Sequence, residues 1–502
     1  MPISQLTNPN IIFFITDEQR YAQHWPEGWA AENLPSMDRL AKNGLTFLNA
    51  FTAACECSPS RASMMTSTYP QQNGVEVTFT TALNPTDPTL AQVLAAADPS
   101  YPLIWKGKWH LSFPMSGGSW TEADIANLAQ TYNVQQWNPP DAGTSLSGTA
   151  TLGGGKGQND RRFVCGPAAP GIPAESVLDF INNCSGTDPF CLVVSLVNPH
   201  DIFLYASQFQ GSGYEDAPFE QLPIELPDNL SDDLTTKPGI QLAFRTNYNA
   251  SHPLTAAQQA NYVKFYAYLQ TLSDALFCQI LDALTAKNLI DNSIIFRFAD
   301  HGEMALSHGM QEKMYNAYEE SMHIPLIVSN PVLFPQPAVT SSVVSSLDLV
   351  PTIAEIVNSP ATTTLRGKSL VPIINDPSES VHEYGVVYTY DDSFNEPDTL
   401  SGHIRCLRTP QWKYAVYYSS AVAGGQFEYE LYDMTCPGEL TNLAFGTVNE
   451  EIQQQWNTLH TQLTNLLTTL GPLPSGNFTW PVNPAGSNAW TPVSSATGPT
   501  CD

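Results

Sequence analysis

The chain has 502 residues, 42% of them apolar, with 48 acidic against 20 basic side chains, a formal net charge of −28 and a pI near 4.5. That length supplies buried cores for two or three domains, while so acidic a surface repels phosphate backbones and anionic lipid, which excludes nucleic acid and membrane as partners. No run of about 18 apolar residues exists to span a bilayer, and the first residues lack a basic segment followed by an apolar one, so the expected location is cytoplasmic.

Short apolar runs alternate with helix-like stretches, the pattern of an α/β fold: a mixed, largely parallel central sheet sandwiched by helices. Buried strands are expected at residues 10–15, 103–105, 190–197, 293–298 and 324–328, each β-branched or aromatic and bounded by polar or turn residues. Residues 139–157, rich in Gly, Ser and Thr, suggest a surface loop near the site or a lid. Apolar residues from Tyr262 to Leu284 recur at three- and four-residue spacings, which predicts one long helix within 255–289 that covers the sheet. Beyond residue 380 the pattern changes to alternating strands at 385–390, 404–408, 412–418 and 429–432, typical of a small antiparallel sheet. A capping box of Thr447 with Glu450 opens a last amphipathic helix, which Gly471-Pro472 stops. The expected division is therefore an α/β catalytic domain at 1–380, a smaller antiparallel sheet plus helix at 381–470, and a Pro/Gly/Ser-rich tail at 471–502 that wraps the surface or a neighbouring subunit of a homo-oligomer.

The residues just past each strand carry the chemistry, because open α/β sheets bind ligands in the crevice beyond the carboxyl ends of their strands. The first run is followed by Asp17 and Glu18, the second by Lys108 and His110, the third by His200, and the fourth by Asp300 and His301. One crevice could gather them all. Nine cysteines show no metal-finger spacing and are too sparse for a disulfide scaffold; with Cys57 set aside for chemistry, the remaining eight permit disulfides without requiring them.

Cys57-Ser58-Pro59-Ser60-Arg61, followed by Ala62-Ser63-Met64-Met65-Thr66, reads as a turn entering a helix and resembles the signature of the type I sulfatases of the alkaline phosphatase superfamily. Further segments match that family in order: residues 10–20, Gly107-Lys108-Trp109-His110-Leu111, Asn198-Pro199-His200, Asp300-His301-Gly302-Glu303, then His308-Gly309, Lys313 and Tyr318-Glu319-Glu320-Ser321. Two departures stand out. Thr66-Ser67 replaces the family's usual Thr-Gly, and Asp300 is followed by histidine where other sulfatases have asparagine, as in the related phosphonate monoester hydrolases.

The resemblance implies that a formylglycine-generating enzyme oxidises Cys57 to formylglycine, whose hydrate attacks sulfur and forms a covalent sulfo-enzyme. It implies a divalent metal on Asp17, Asp300 and His301, with Glu18 as a fourth ligand or a support; Ca²⁺ is the family's usual ion, with Mg²⁺ or Mn²⁺ as alternatives. Arg61 and Lys108 would hold the formylglycine, Lys108, His200 and Lys313 the sulfate, His110 would take the proton that releases the product, and His200 would act as general acid, titrating near neutrality. His308 and His323 read as ordinary core or surface residues, His308 the nearer to the pocket. The expected function is hydrolysis of small-molecule or glycan sulfate esters. A phosphonate monoester or phosphodiester hydrolase on the same site is the alternative, and a non-catalytic sulfated-glycan binder with an intact thiol is the third reading.

Overall fold

The computed structural model describes residues 3–21, 23–143, 149–166, 175–360, 365–392, 402–419, 427–446, 448–471 and 480–481. Thr447, most of the tail and part of the 139–157 loop lie outside the described residues. Eight strands form one sheet: β1 (Asn10–Thr16), β2 (Gly44–Phe51), β3 (Leu103–Gly107), β4 (Val134–Gln135), β5 (Cys191–Leu196), β6 (Ser293–Ala299), β7 (Leu326–Ser329) and β8 (Ala338–Ser345), in the order β4-β3-β5-β1-β6-β7-β2-β8. β1 lies parallel to both β5 and β6, and β3 parallel to β5. β7 runs antiparallel to its neighbours β6 and β2, so two reversals return β2 to the direction of β6.

Each face of the sheet has its own core, because side chains alternate along a strand. Ile11, Phe13 and Ile15 point into a cluster completed by Leu90, Val93, Leu349 and Ile353. Ile12 and Phe14 face the other way, against Phe277, Ile280 and Leu284 of the Ala256–Ala286 helix. Thr255 caps that helix by accepting from the Gln258 amide, which places its start where the sequence does.

The second sheet is antiparallel: β9 (Val386–Tyr390), β10 (His403–Arg408), β11 (Trp412–Tyr418) and β12 (Phe427–Asp433), in the order β12-β11-β10-β9. Trp456, Leu459, Leu463 and Leu467 of the Glu450–Leu470 helix cover one face of it. Asn449 caps that helix by accepting from the Ile452 amide at 2.8 Å, the expected cap at Thr447 lying outside the described residues; Gly471 ends it at φ 89°, where a side chain would be strained. The opposite face packs Tyr388, Ile404, Cys406 and Tyr417 against Phe51, Tyr315 and Met322. The Thr389 amide donates to the Ala53 carbonyl at 2.9 Å, so the small sheet braces the segment leading to Cys57. Cys55, Cys57, Cys165, Cys184, Cys191, Cys278 and Cys406 are free thiols, and Cys436 is disulfide-bonded.

Candidate active site

The carboxyl ends of β3, β5, β1 and β6, adjacent in the sheet, deliver Lys108, His200, Asp17 and Asp300 to one place, and β2, parallel to β6, delivers the turn that leads into Cys57. The Cys57–Thr66 helix is buried along its whole length. Pro59 fits its first turn because amides there have no intrahelical acceptor. The helix hangs from the neighbouring loops: Ser58 Oγ donates to the His110 carbonyl at 2.9 Å and Ser60 Oγ to the Asp300 carbonyl at 2.6 Å. At its other end, Ser67 sits at φ 53° and ψ 36°, the left-handed geometry that favours the family's usual glycine. Its hydroxyl donates to the Leu347 carbonyl at 2.7 Å and accepts from the Gly367 amide at 3.0 Å, two bonds a glycine could not make.

Cys57 Sγ lies 3.7 Å from Asp17 Oδ1 and 3.3 Å from His301 Nε2. One turn on, Arg61 Nη2 is 2.9 Å from both Asp17 Oδ2 and Asp300 Oδ2, while its Nη1 donates to the Lys108 carbonyl and to Ser195 Oγ. Lys108 Nζ stands 2.5 Å from Asp17 Oδ2. Burial would raise the Asp17 carboxyl, but the Lys108 and Arg61 cations, with His200 and His301 beside them, hold it well below its ordinary range. Burial and the Asp17 carboxylate push the Cys57 thiol up to about 12. An unmodified sulfur is therefore a thiol at neutral pH, without the thiolate that sulfur nucleophiles need.

The donor atoms of Asp17, Cys57, Asp300 and His301 lie within 4.8 Å of one another. The Gly302 carbonyl is 3.0 Å from His301 Nδ1, which assigns the ring proton there and turns the Nε2 lone pair toward the carboxylates, the arrangement of a metal-ligating histidine. Two buried carboxylates and an imidazole fit a divalent cation that prefers oxygen donors. Glu18 stands apart from that foursome. It shares a potential donor group with Asp17 and His200 and another with Glu303 and Glu312, and its Oε1 is held by Lys313 Nζ at 3.0 Å. Burial, with Glu312 and Glu303 nearby, raises its carboxyl well above the usual range despite Lys313. Glu18 and Glu312 overcome the burial of Lys313 and hold its ammonium well above the ordinary value.

His110 and His200 complete the crevice. Both amides of the Trp109-His110 pair donate to Asp141 at 2.8 Å, which fixes the loop; nothing in the sequence marks Asp141 for that work. The 139–157 segment is thus anchored where described, with Asp141, Ala142 and Leu152 buried. Both ring nitrogens of His110, and Nδ1 of His200, are buried without a hydrogen-bond partner. Burial and the Lys108 charge push both imidazoles well below 6.5. Burial and the Lys108 charge thus oppose a His200 that titrates near neutrality, the behaviour expected from the sequence. The linkage has a definite sign. Groups with depressed folded values stabilise the protein above their unfolded value and lose that contribution as protons are forced in. Thermal melts from about pH 8 to 5 should show the midpoint falling below about pH 6.5, and His110→Asn should flatten the decline.

His308 and His323 lie outside the crevice. His308 stacks on Tyr318 with ring centroids 3.8 Å apart and pairs with Asp232 at 2.7 Å; His323 stacks on Tyr21 and pairs with Glu319. Both are structural contacts.

A sulfatase family profile matches residues 9–359. The chain belongs to the sulfatase family. Membership makes it a sulfuric ester hydrolase, and a second profile, the C-terminal region of N-sulphoglucosamine sulphohydrolase, matches residues 307–468. Arylsulfatase K of Rattus norvegicus is 26% identical over 478 residues, covering 89% of this chain and 77% of the rat protein. The sulfatase fold is shared with a solved 2-O GAG sulfatase at TM-score 0.69 and 21% identity, covering 92% of each chain. It is shared as well with the phosphonate monoester hydrolase of Silicibacter pomeroyi at TM-score 0.66 and 20% identity, covering 92% of this chain and 95% of that one.

Proposed function

We propose that this sulfatase works with formylglycine made from Cys57 by a separate maturation enzyme and with a divalent cation, Ca²⁺ before Mg²⁺ or Mn²⁺, held by Asp17, Asp300 and His301. The observation that carries the reading is the placement of Cys57 at a helix start, its sulfur 3.3 Å from His301 Nε2 and 3.7 Å from Asp17. The hydrated aldehyde supplies an oxygen nucleophile, and the cation supplies positive charge beside the sulfuryl oxygens.

The chain's own side chains do the rest. Arg61 and Lys108 neutralise Asp17 and hold the nucleophile side of the crevice. Lys108 and Lys313 offer ammonium protons to the ester's anionic oxygens, and His200 donates a hydrogen bond there as a neutral imidazole. Lys313, kept charged by Glu18 and Glu312, delivers a proton to the leaving alcohol oxygen. His110, neutral and with both ring nitrogens unpartnered, accepts the proton that must leave the nucleophile side before water can restore it. Relatives include a 2-O GAG sulfatase and an ulvan-active sulfatase, which supports a saccharide sulfate as substrate.

A second reading, phosphonate monoester hydrolysis, is favoured by Asp300-His301 and by the likeness to a phosphonate monoester hydrolase. Measured on one preparation, kcat/KM for 4-nitrophenyl sulfate should exceed that for 4-nitrophenyl phenylphosphonate by about tenfold or more; the reverse order selects the second reading.

A further inference from the structure

Lys313, the proton donor of the proposed reaction, stands on a loop whose shape its own sequence does not favour. Between β6 and Lys313, the residues Ala305, Leu306, His308 and Glu312 all take positive φ, at 43°, 69°, 55° and 66°. Residues other than glycine hold that left-handed geometry only where surrounding contacts impose it. Glu312 immediately precedes Lys313, so a change in its backbone swings the ammonium at the end of a flexible four-carbon stem. That ammonium has a narrow place to reach, 3.0 Å from Glu18 Oε1 and 3.2 Å from Glu312 Oε2.

One carboxylate oxygen gathers the contacts that impose the shape. Glu303, with no exposed surface, accepts at Oε1 from the Ala305 amide at 3.1 Å, the Glu312 amide at 3.0 Å and the Tyr262 hydroxyl at 2.8 Å. The two amides close the loop on itself, and the hydroxyl ties it to the Ala256–Ala286 helix. Two further links support the closure: the Met304 amide donates to the Glu312 carbonyl at 2.9 Å, and Arg20 Nη1 donates to the Met304 carbonyl at 2.8 Å and to Ser307 Oγ at 3.1 Å. Neither replaces Glu303. Without its oxygen, the Ala305, Glu312 and Tyr262 donors, all buried, lose their acceptor, and the amide released at Glu312 is the one next to the acid.

We propose that Glu303 is a positioning residue for Lys313: its Oε1 fixes the 305–312 loop so that the ammonium meets the departing alcohol oxygen. The proposal deepens the sulfatase reading above and rests on the role given there to Lys313. Glu303 does not touch the ester, and its contribution is felt in proportion to the need for a proton. An acidic phenol departs with little help, whereas a weakly acidic alcohol needs the proton in the transition state.

The test uses the matured enzyme and three aryl sulfates, 4-nitrophenyl, phenyl and 4-methoxyphenyl, whose phenols are successively weaker acids. Lys313→Ala sets the reference: its loss in kcat should grow along the series, from about tenfold to roughly 10²-fold or more. Glu303→Ala should reproduce that trend, and Glu303→Gln, which keeps an oxygen acceptor, should restore most of the lost activity. Tyr262→Phe keeps the core filled and removes one donor of the three. If the alanine variant does not fold, Tyr262→Phe decides, with a loss larger on 4-methoxyphenyl than on 4-nitrophenyl sulfate. Metal content and Cys57 conversion should match the wild type throughout. Equal losses on all three esters, no rescue by glutamine, or metal lost in step with activity overturn the positioning role while leaving the sulfatase reading intact. A flat profile for Lys313→Ala overturns the acid role of Lys313 and this proposal with it.

Discussion

Cys57→Ala should abolish ester hydrolysis, with kcat/KM falling on the order of 10⁴-fold or more, the scale seen when a covalent nucleophile is removed. Cys57→Ser should fall as far, because the basic atoms beside that position, on Asp17 and His301, would be engaged by the proposed cation. Mass spectrometry of the peptide spanning residues 51–61 supplies the second half of the experiment. Active preparations should carry the mass of an aldehyde, sulfur replaced by oxygen and two hydrogens lost, and protein produced without a maturation enzyme should carry the intact thiol and be inactive. The thiol form would not compensate, since burial and Asp17 push its pKa up to about 12. Full activity in a preparation whose Cys57 is an unmodified thiol would remove the mechanism.

Removing the cation should be nearly as damaging. Chelation, or Asp300→Asn, should lower kcat/KM by roughly 10²-fold or more, the scale of losing a preorganised charge at the reacting group. Elemental analysis should find about one equivalent of divalent metal in the wild type and a much smaller content in Asp300→Asn. Stability offers a readout independent of turnover. The Asp17 and Asp300 carboxylates repel each other across a short gap bridged by Arg61, and a bound cation relieves that repulsion in the folded state alone. Adding Ca²⁺ at about 100 times its Kd to chelated protein should stabilise it by about 2.7 kcal/mol. A melting midpoint indifferent to Ca²⁺, Mg²⁺ and Mn²⁺, together with unimpaired chelated enzyme, would sink the assignment.

The strands that carry chemistry are legible in the sequence because they are buried on both faces. β1, β5 and β6 are largely apolar runs, interrupted by Ser195 and Arg297 and followed by charged or polar residues, and each starts within a residue of its expected position. β2 and β8 are not legible in the same way. Their exposed positions are Leu48, Val339 and Ser341, two of them apolar, so neither the continuous nor the strictly alternating pattern applies. The proximity of Cys57 to Asp17 and His301 could be expected only from the family resemblance, because composition carries no distance information. Asp141 escapes detection because its work is done through backbone amides of distant residues, which leaves no spacing to find. The ionisation of His200 escapes for a related reason: the burial that depresses it, and the Lys108 charge that adds to this, come from other parts of the chain.

Ser67 and the wholly enclosed segment before it bear on how the protein is made. A side chain 3% exposed at Cys57, flanked on one side by β2 and fastened at the far end to Leu347 and Gly367, offers no grip to an oxidising enzyme once the chain has closed around it. If Cys57 is converted as proposed, conversion has to precede the closing of the structure, while the emerging polypeptide is still threadlike. Expression conditions that speed folding relative to oxidation would then yield a well-formed but permanently silent population, which no later addition of the oxidising enzyme could awaken without unfolding.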